Sequence, residues 1–199
     1  MKQAILATAA ITVTLLAGAI TNVANADSSF DNHRFLRVSS FEGQIAFCDP
    51  PAPPVDVVEL PGGITITTFV NENNVWVTGN PLVDGVEKNR VVVVFDPSLP
   101  PDVPPNNQAR VDSSIDVAAF EGGWRIRQRL EFSPEGTTSF GIGFGLGDLR
   151  GKLIIINNDT PSRFEVVQDP PCDVPPGYPA DQIMGARLQG TVITFGWSG

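Results

Sequence analysis

In WRIRQRLEF, residues 124–132, side-chain character alternates one by one. Trp124, Ile126, Leu130 and Phe132 share a face with Gln128, and Arg125, Arg127, Arg129 and Glu131 share the other. A period of two marks an extended strand with one buried face, because successive side chains of a pleated backbone point to opposite sides. The nearby SFGIGFGLG (139–147) also alternates, setting Phe140, Ile142, Phe144 and Leu146 against glycines at 141, 143, 145 and 147. Each interior glycine costs a strand about 0.5 to 1 kcal/mol relative to alanine. Four of them imply that a side chain, a facing sheet or a ligand approaches that face closely, with packing as the ordinary cause. Their spacing matches neither the dinucleotide-binding nor the phosphate-loop pattern.

The same character runs through the chain. GITITTFV (63–70), NVWVTG (74–79), RVVVVF (90–95), KLIIIN (152–157), RFEVVQ (163–168) and GTVITFGW (190–197) are β-branched or aromatic runs bounded by Gly, Asn, Asp or Pro. FLRVSS (35–40), FEGQIAF (41–47), VDVVEL (55–60) and a weaker RVDSSIDVAAF (110–120) add to them. The pattern predicts an all-β fold, an antiparallel β-barrel or β-sandwich of about 8–10 short strands with Pro-rich loops and little helix. ADQIMGAR (180–187) is the best helical stretch, a turn or two at most. VVVV (91–94) and LIII (153–156) are apolar at every position, which predicts central strands covered on both sides. A glycine theme recurs in FEGQIAF, FEGGWRI (120–126), LRGKLII (149–155) and LQGTVIT (188–194). It reads either as repeated barrel corners or as chance in a Gly- and Val-rich chain.

Residues 49–54, 97–105 and 170–179 hold fourteen of the eighteen prolines. Each cluster begins at an Asp-Pro step after an apolar run. Proline stops a strand and stiffens the residues beyond it, so the three read as extended loops. Two of these elbows carry the only cysteines, Cys48 and Cys172. In an exported chain an even pair predicts a disulfide, worth about 4 to 5 kcal/mol for a loop this long.

Export is the expectation from the N-terminus. Lys2, the apolar run AILATAAITVTLLAGAI and the small residues ANA at 24–26 form a signal-peptide pattern cleaved after Ala26, leaving residues 27–199 as one β domain with no stable membrane span. The expected location is secreted or periplasmic. Thirteen basic against 22 acidic residues give a net charge of −9, which argues against nucleic acid or anionic lipid as partner.

Catalytic groups are sparse. His33 is the single histidine, no G-x-S-x-G elbow is present, and bonded cysteines supply neither nucleophile nor zinc ligand. Glu42, Glu121, Glu131 and Glu165 are the carboxylates weighed for a cavity, and NENN (71–74) and NND (157–159) read as turns first and as oxygen donors for calcium second. The row Arg125, Arg127, Arg129, with about 7 Å per step, reverses the local charge and could grip carboxylate, sulfate or phosphate; solvated ion pairs are the plainer reading. The expected function is therefore an exported non-catalytic β domain that binds a small molecule, an anionic ligand or a glycan, without a cofactor or metal. The alternatives are a barrel enzyme using Glu and Arg in a cavity, and an outer-membrane barrel, which the unbroken VVVV and LIII runs and the single Tyr178 disfavour.

Overall fold

Alternation along the chain produces ten antiparallel strands in the computed structural model, which describes residues 33–50, 52–172, 179 and 182–198. The expected signal peptide, residues 1–26, lies outside the described residues. The strands are β1 (His33–Phe47), β2 (Asp56–Glu59), β3 (Thr65–Val77), β4 (Gly85–Phe95), β5 (Gln108–Val117), β6 (Gly122–Ser133), β7 (Gly136–Gly147), β8 (Lys152–Ser162), β9 (Glu165–Val166) and β10 (Met184–Ser198). Their order is β1-β10-β8-β7-β6-β5-β4-β3-β2, with β9 paired to β10. A further pairing of β1 with β3, from Gln44↔Val77 to Phe47↔Asn74, closes the ring. With β2 and β9 set aside as short flanking strands, the remaining eight form a closed barrel, which removes the exposed edges an open sheet would leave.

The ring strands are long rather than short. β1 joins FLRVSS to FEGQIAF in 15 residues, and β3 joins GITITTFV to NVWVTG in 13. NENN is the seam within β3, a register shift between Asn71 and Asn74 and not a turn. NND lies likewise inside β8. Strand β10 begins at Met184 and takes the second half of ADQIMGAR into the sheet. The VVVV and LIII runs are not covered on both sides: Val91–Val94 are half-buried, and Leu153–Ile156 alternate between half-buried and buried. In a closed ring every strand is central by hydrogen bonding, yet each keeps an outward face.

The loops 78–84, 118–121 and 148–151 close one end of the barrel over a dense apolar plug. Trp76, Trp124, Ile115, Leu149, Ile154 and Val192 fill it, each at most 1 % exposed. Trp124 Nε1 donates to the Leu82 carbonyl at 2.7 Å and pins the first of those loops. The β7 glycines face this interior. A Cβ at Gly143 would stand 2.6 Å from Ile126 and 2.7 Å from Ile154, so neighbouring side chains are what approach that face. The recurring glycine theme has no common role: Gly43 and Gly190 lie mid-strand against Val77 and Phe41, whereas Gly122 at the start of β6 and Gly151 in the turn before β8 take positive φ.

At the opposite end, Cys48 and Cys172 are bonded, with their Cα atoms 6.1 Å apart. Cys48 is fully buried in a small second core with Ala46, Val167 and Ile183, outside the end of β1. The bond and these contacts hold the segment after β8 against the barrel.

Candidate functional site: the barrel lumen

Eight strands enclose a space that side chains can fill or that can hold one small ligand. Here the plug fills one half, and a cavity of about 380 Å³ occupies the other, toward the disulfide-linked end. Small inward residues leave the room: Ser139 on β7 and Ala186 on β10 stand where larger side chains would meet. Trp76 forms the floor, Val91, Val111, Leu130 and Leu188 the apolar walls, and Phe47, Phe132 and Phe164 the rim. The rings of Phe47 and Phe164 meet edge to face, 5.6 Å apart.

Against these walls stands a polar cluster carried by β3 and β4. Glu87 is 1 % exposed, and its Oε2 accepts from Asn74 Nδ2 at 3.0 Å and from Asn89 Nδ2 at 3.1 Å. Asn71 Nδ2 donates in turn to Asn89 Oδ1 at 2.8 Å. The β3–β4 register makes this cluster: Asn71 is opposite Asn89 and Asn74 is opposite Glu87, so the bulge between them keeps both asparagines inward. Glu87 Oε1 has no hydrogen-bond partner, nor has the indole Nε1 of Trp76, its diagonal neighbour. A buried acceptor and a buried donor are therefore left open on diagonal cross-strand neighbours, an arrangement that is costly unless a bound molecule or water completes it.

Across the lumen, Asn158 has a structural task. Pairing of β10 with β8 stops at Gly190↔Ile156, and Asn158 then donates to the Arg187 carbonyl at 2.9 Å and accepts from the Gln189 N–H at 2.6 Å. One side chain thus satisfies the β10 backbone where β8 swings away to form the rim.

The expected residues lie elsewhere. Arg125, Arg127 and Arg129 point outward from β6, while its opposite face, including Gln128 and Leu130, lines the lumen. Arg127 Nε donates to Asp112 Oδ1 at 2.9 Å, and Arg110 pairs with the same carboxylate. Partial burial alone would raise the Asp112 pKa, but the bond from Arg127 and the nearby charge of Arg110 together hold it below the ordinary value. Glu42 pairs with Arg187 on the outer surface, and Glu121, Glu131 and Glu165 are exposed. None of these four carboxylates reaches the cavity; the lumen carboxyl is Glu87, with Asp49 at the rim. The His33 side chain lies outside what the structure describes. Among the described residues, no group of three or more His, Cys, Asp or Glu gathers as a metal site. No family model, curated protein or solved structure matches the chain.

Proposed function

We propose that this protein is an exported, non-catalytic binder that holds one small, largely apolar molecule in its barrel lumen. The observation that carries the reading is the open pair at the floor, Trp76 Nε1–H and Glu87 Oε1, buried in the lining of a cavity of about 380 Å³ whose other walls include the apolar Val91, Val111 and Leu130. A ligand that fits must accept from the indole and donate to the carboxyl, as a hydroxyl or an amide does, and present hydrocarbon or ring surface to Val91, Val111 and Leu130. An anionic group at the floor would meet Glu87, whose carboxyl is bonded by Asn74 and Asn89 and not by a cation, so a neutral or cationic lumen ligand fits better. The Cys48–Cys172 bond supports a secreted or periplasmic location, since structural disulfides persist in oxidising compartments. No helix among the described residues is long and apolar enough to cross a membrane. The charged outer faces of β4, β5 and β6, with Lys88, Arg90, Asp112 and Arg127 at mid-strand, weigh against a lipid-embedded barrel, which needs an apolar band all round.

The test is native mass spectrometry of the purified protein, followed by a thermal-shift screen of neutral alcohols and amides of matching size. Ala186→Trp, which fills the lumen, should abolish the shifts, whereas Arg127→Ala should leave them intact. Shifts that survive Ala186→Trp and vanish with Arg127→Ala would move binding to the outer arginine row and overturn the lumen reading. Glu87 also keeps the enzymatic alternative specific: a bound compound recovered chemically changed by the wild type but not by Glu87→Gln would make the lumen catalytic.

A further inference from the structure

Toward the plugged end, the outward faces of β7, β8, β10 and β1 form an apolar wall. On β7, Phe140, Ile142, Phe144 and Leu146 all point away from the barrel, while the inward positions between them are glycine. Register carries the wall sideways. Phe144 lies opposite Leu153, Leu153 opposite Ile193, and Ile193 opposite Val38. Ile142 lies opposite Ile155, and Phe195 opposite Leu36. The four β7 residues with Leu36, Val38 and Phe195 are between 43 and 63 % exposed. These side chains take no part in packing the barrel interior, because the space behind β7 is already filled by Ile126, Ile154, Leu149 and Gln128 against the glycines.

We infer that this wall is the interface of a two-fold homodimer, two barrels stacked sheet face to sheet face. Half the surface of seven large apolar side chains amounts to roughly 700 Å², taking 150–250 Å² for an aromatic ring and somewhat less for an aliphatic chain. That exceeds the largest apolar patch of an ordinary monomer, about 300–600 Å², and approaches the roughly 800 Å² per partner of a stable interface. A second copy is the occupant that fits. The wall is a run of four hydrogen-bonded strands, and two such faces pack at about 10 Å with their side chains interdigitated. One border is cationic, with Arg125 opposite Phe144 and Arg129 opposite Phe140. The chain's net charge of −9 repels an anionic bilayer, the other partner an apolar wall edged with arginine suggests. In this arrangement the row Arg125, Arg127, Arg129 forms the polar rim that surrounds an apolar interface.

Sedimentation velocity of the purified protein tests this. The wild type should sediment at twice the chain mass at micromolar concentration. Phe144→Lys should weaken association by about a hundredfold or more, because a two-fold interface counts the change twice. Circular dichroism must show that the variant keeps its strand signal; if it does not fold, the milder Ile142→Ser takes its place. Lys88→Glu, on the opposite wall, should dimerise like the wild type. A monomeric wild type at all concentrations, or a folded Phe144→Lys that stays dimeric, overturns the proposal. So does flotation of the wild type, but not Phe144→Lys, with phosphatidylcholine–phosphatidylglycerol vesicles, which would assign the wall to a membrane.

Discussion

Removing the Cys48–Cys172 bond tests how the barrel is held shut. The bond spans 124 residues, from the end of β1 to the segment after β9, and so encloses most of the ring. In the chain-entropy model, freeing a loop of that length returns about 5 kcal/mol of conformational freedom to the unfolded state. For a domain of this size each kcal/mol moves Tm by about 2 to 4 °C, which gives an expected fall of roughly 10 to 20 °C. Cys48 is fully buried, so reductant alone would report access rather than stability; the suitable perturbation is the double variant Cys48→Ala/Cys172→Ala. Calorimetry at several scan rates is the assay, because rate-independent melting is needed before a Tm shift can be read as free energy. A double variant that melts within about 4 °C of the wild type would mean the unfolded chain already keeps its ends close, and would refute the entropic account.

Three further outcomes are expected from single side chains. Glu87→Gln keeps the shape and the bonds from Asn74 and Asn89 while removing a buried carboxyl, so Tm should rise by roughly 2 to 4 °C, and any lumen ligand should bind more weakly; a fall in Tm measured by calorimetry counts against the cost assigned to that buried carboxyl. Gly145→Ala would set a Cβ 1.9 Å from the Leu149 carbonyl oxygen, a backbone atom that cannot swing aside, and chemical denaturation should show a loss of about 1 to 3 kcal/mol or failure to fold. For Asp112, whose pKa is lowered in the fold, the stabilisation is complete above the ordinary carboxylate value and disappears as pH falls through the lowered one. The stability gap between wild type and Asp112→Asn, below about 1 kcal/mol for so exposed a pair, should therefore be present at neutral pH and close on acidification.

The fold class was legible because a period of two is a local property. WRIRQRLEF and SFGIGFGLG announce their two faces without any knowledge of partners, and the prolines mark where those strands stop. Closure was not legible. It depends on β1 reaching β3 through the short pairing of Gln44–Phe47 with Asn74–Val77, and no residue in either run distinguishes a barrel from a sandwich. The turn reading of NENN failed for a related reason. Asparagines favour turns by bonding their own backbone, but here a bulge and a facing Glu87 supply other partners, and tertiary contact overrides the local preference.

The site was hidden by the same logic that revealed the strands. Periodicity tells which residues share a face but not which face is inside, and in an acidic chain the arginine row of β6 drew attention to the outer wall. The informative signal lay upstream of VVVV. Carrying the period of β4 backward puts Gly85, Glu87, Asn89 and Val91 on one face, with Val86, Lys88, Arg90 and Val92 on the other. Each face mixes charge with valine, so either could be wet, and only β3 decides: its Asn71, Asn74 and Trp76 meet Asn89, Glu87 and Gly85 in register. A lone glutamate between valines is ambiguous; a glutamate whose cross-strand partner is an asparagine on the same face as a tryptophan is a lumen group. The functional reading therefore rests on strand register, and a Glu87 carboxyl that could be chemically labelled as freely as an exposed one would remove its foundation.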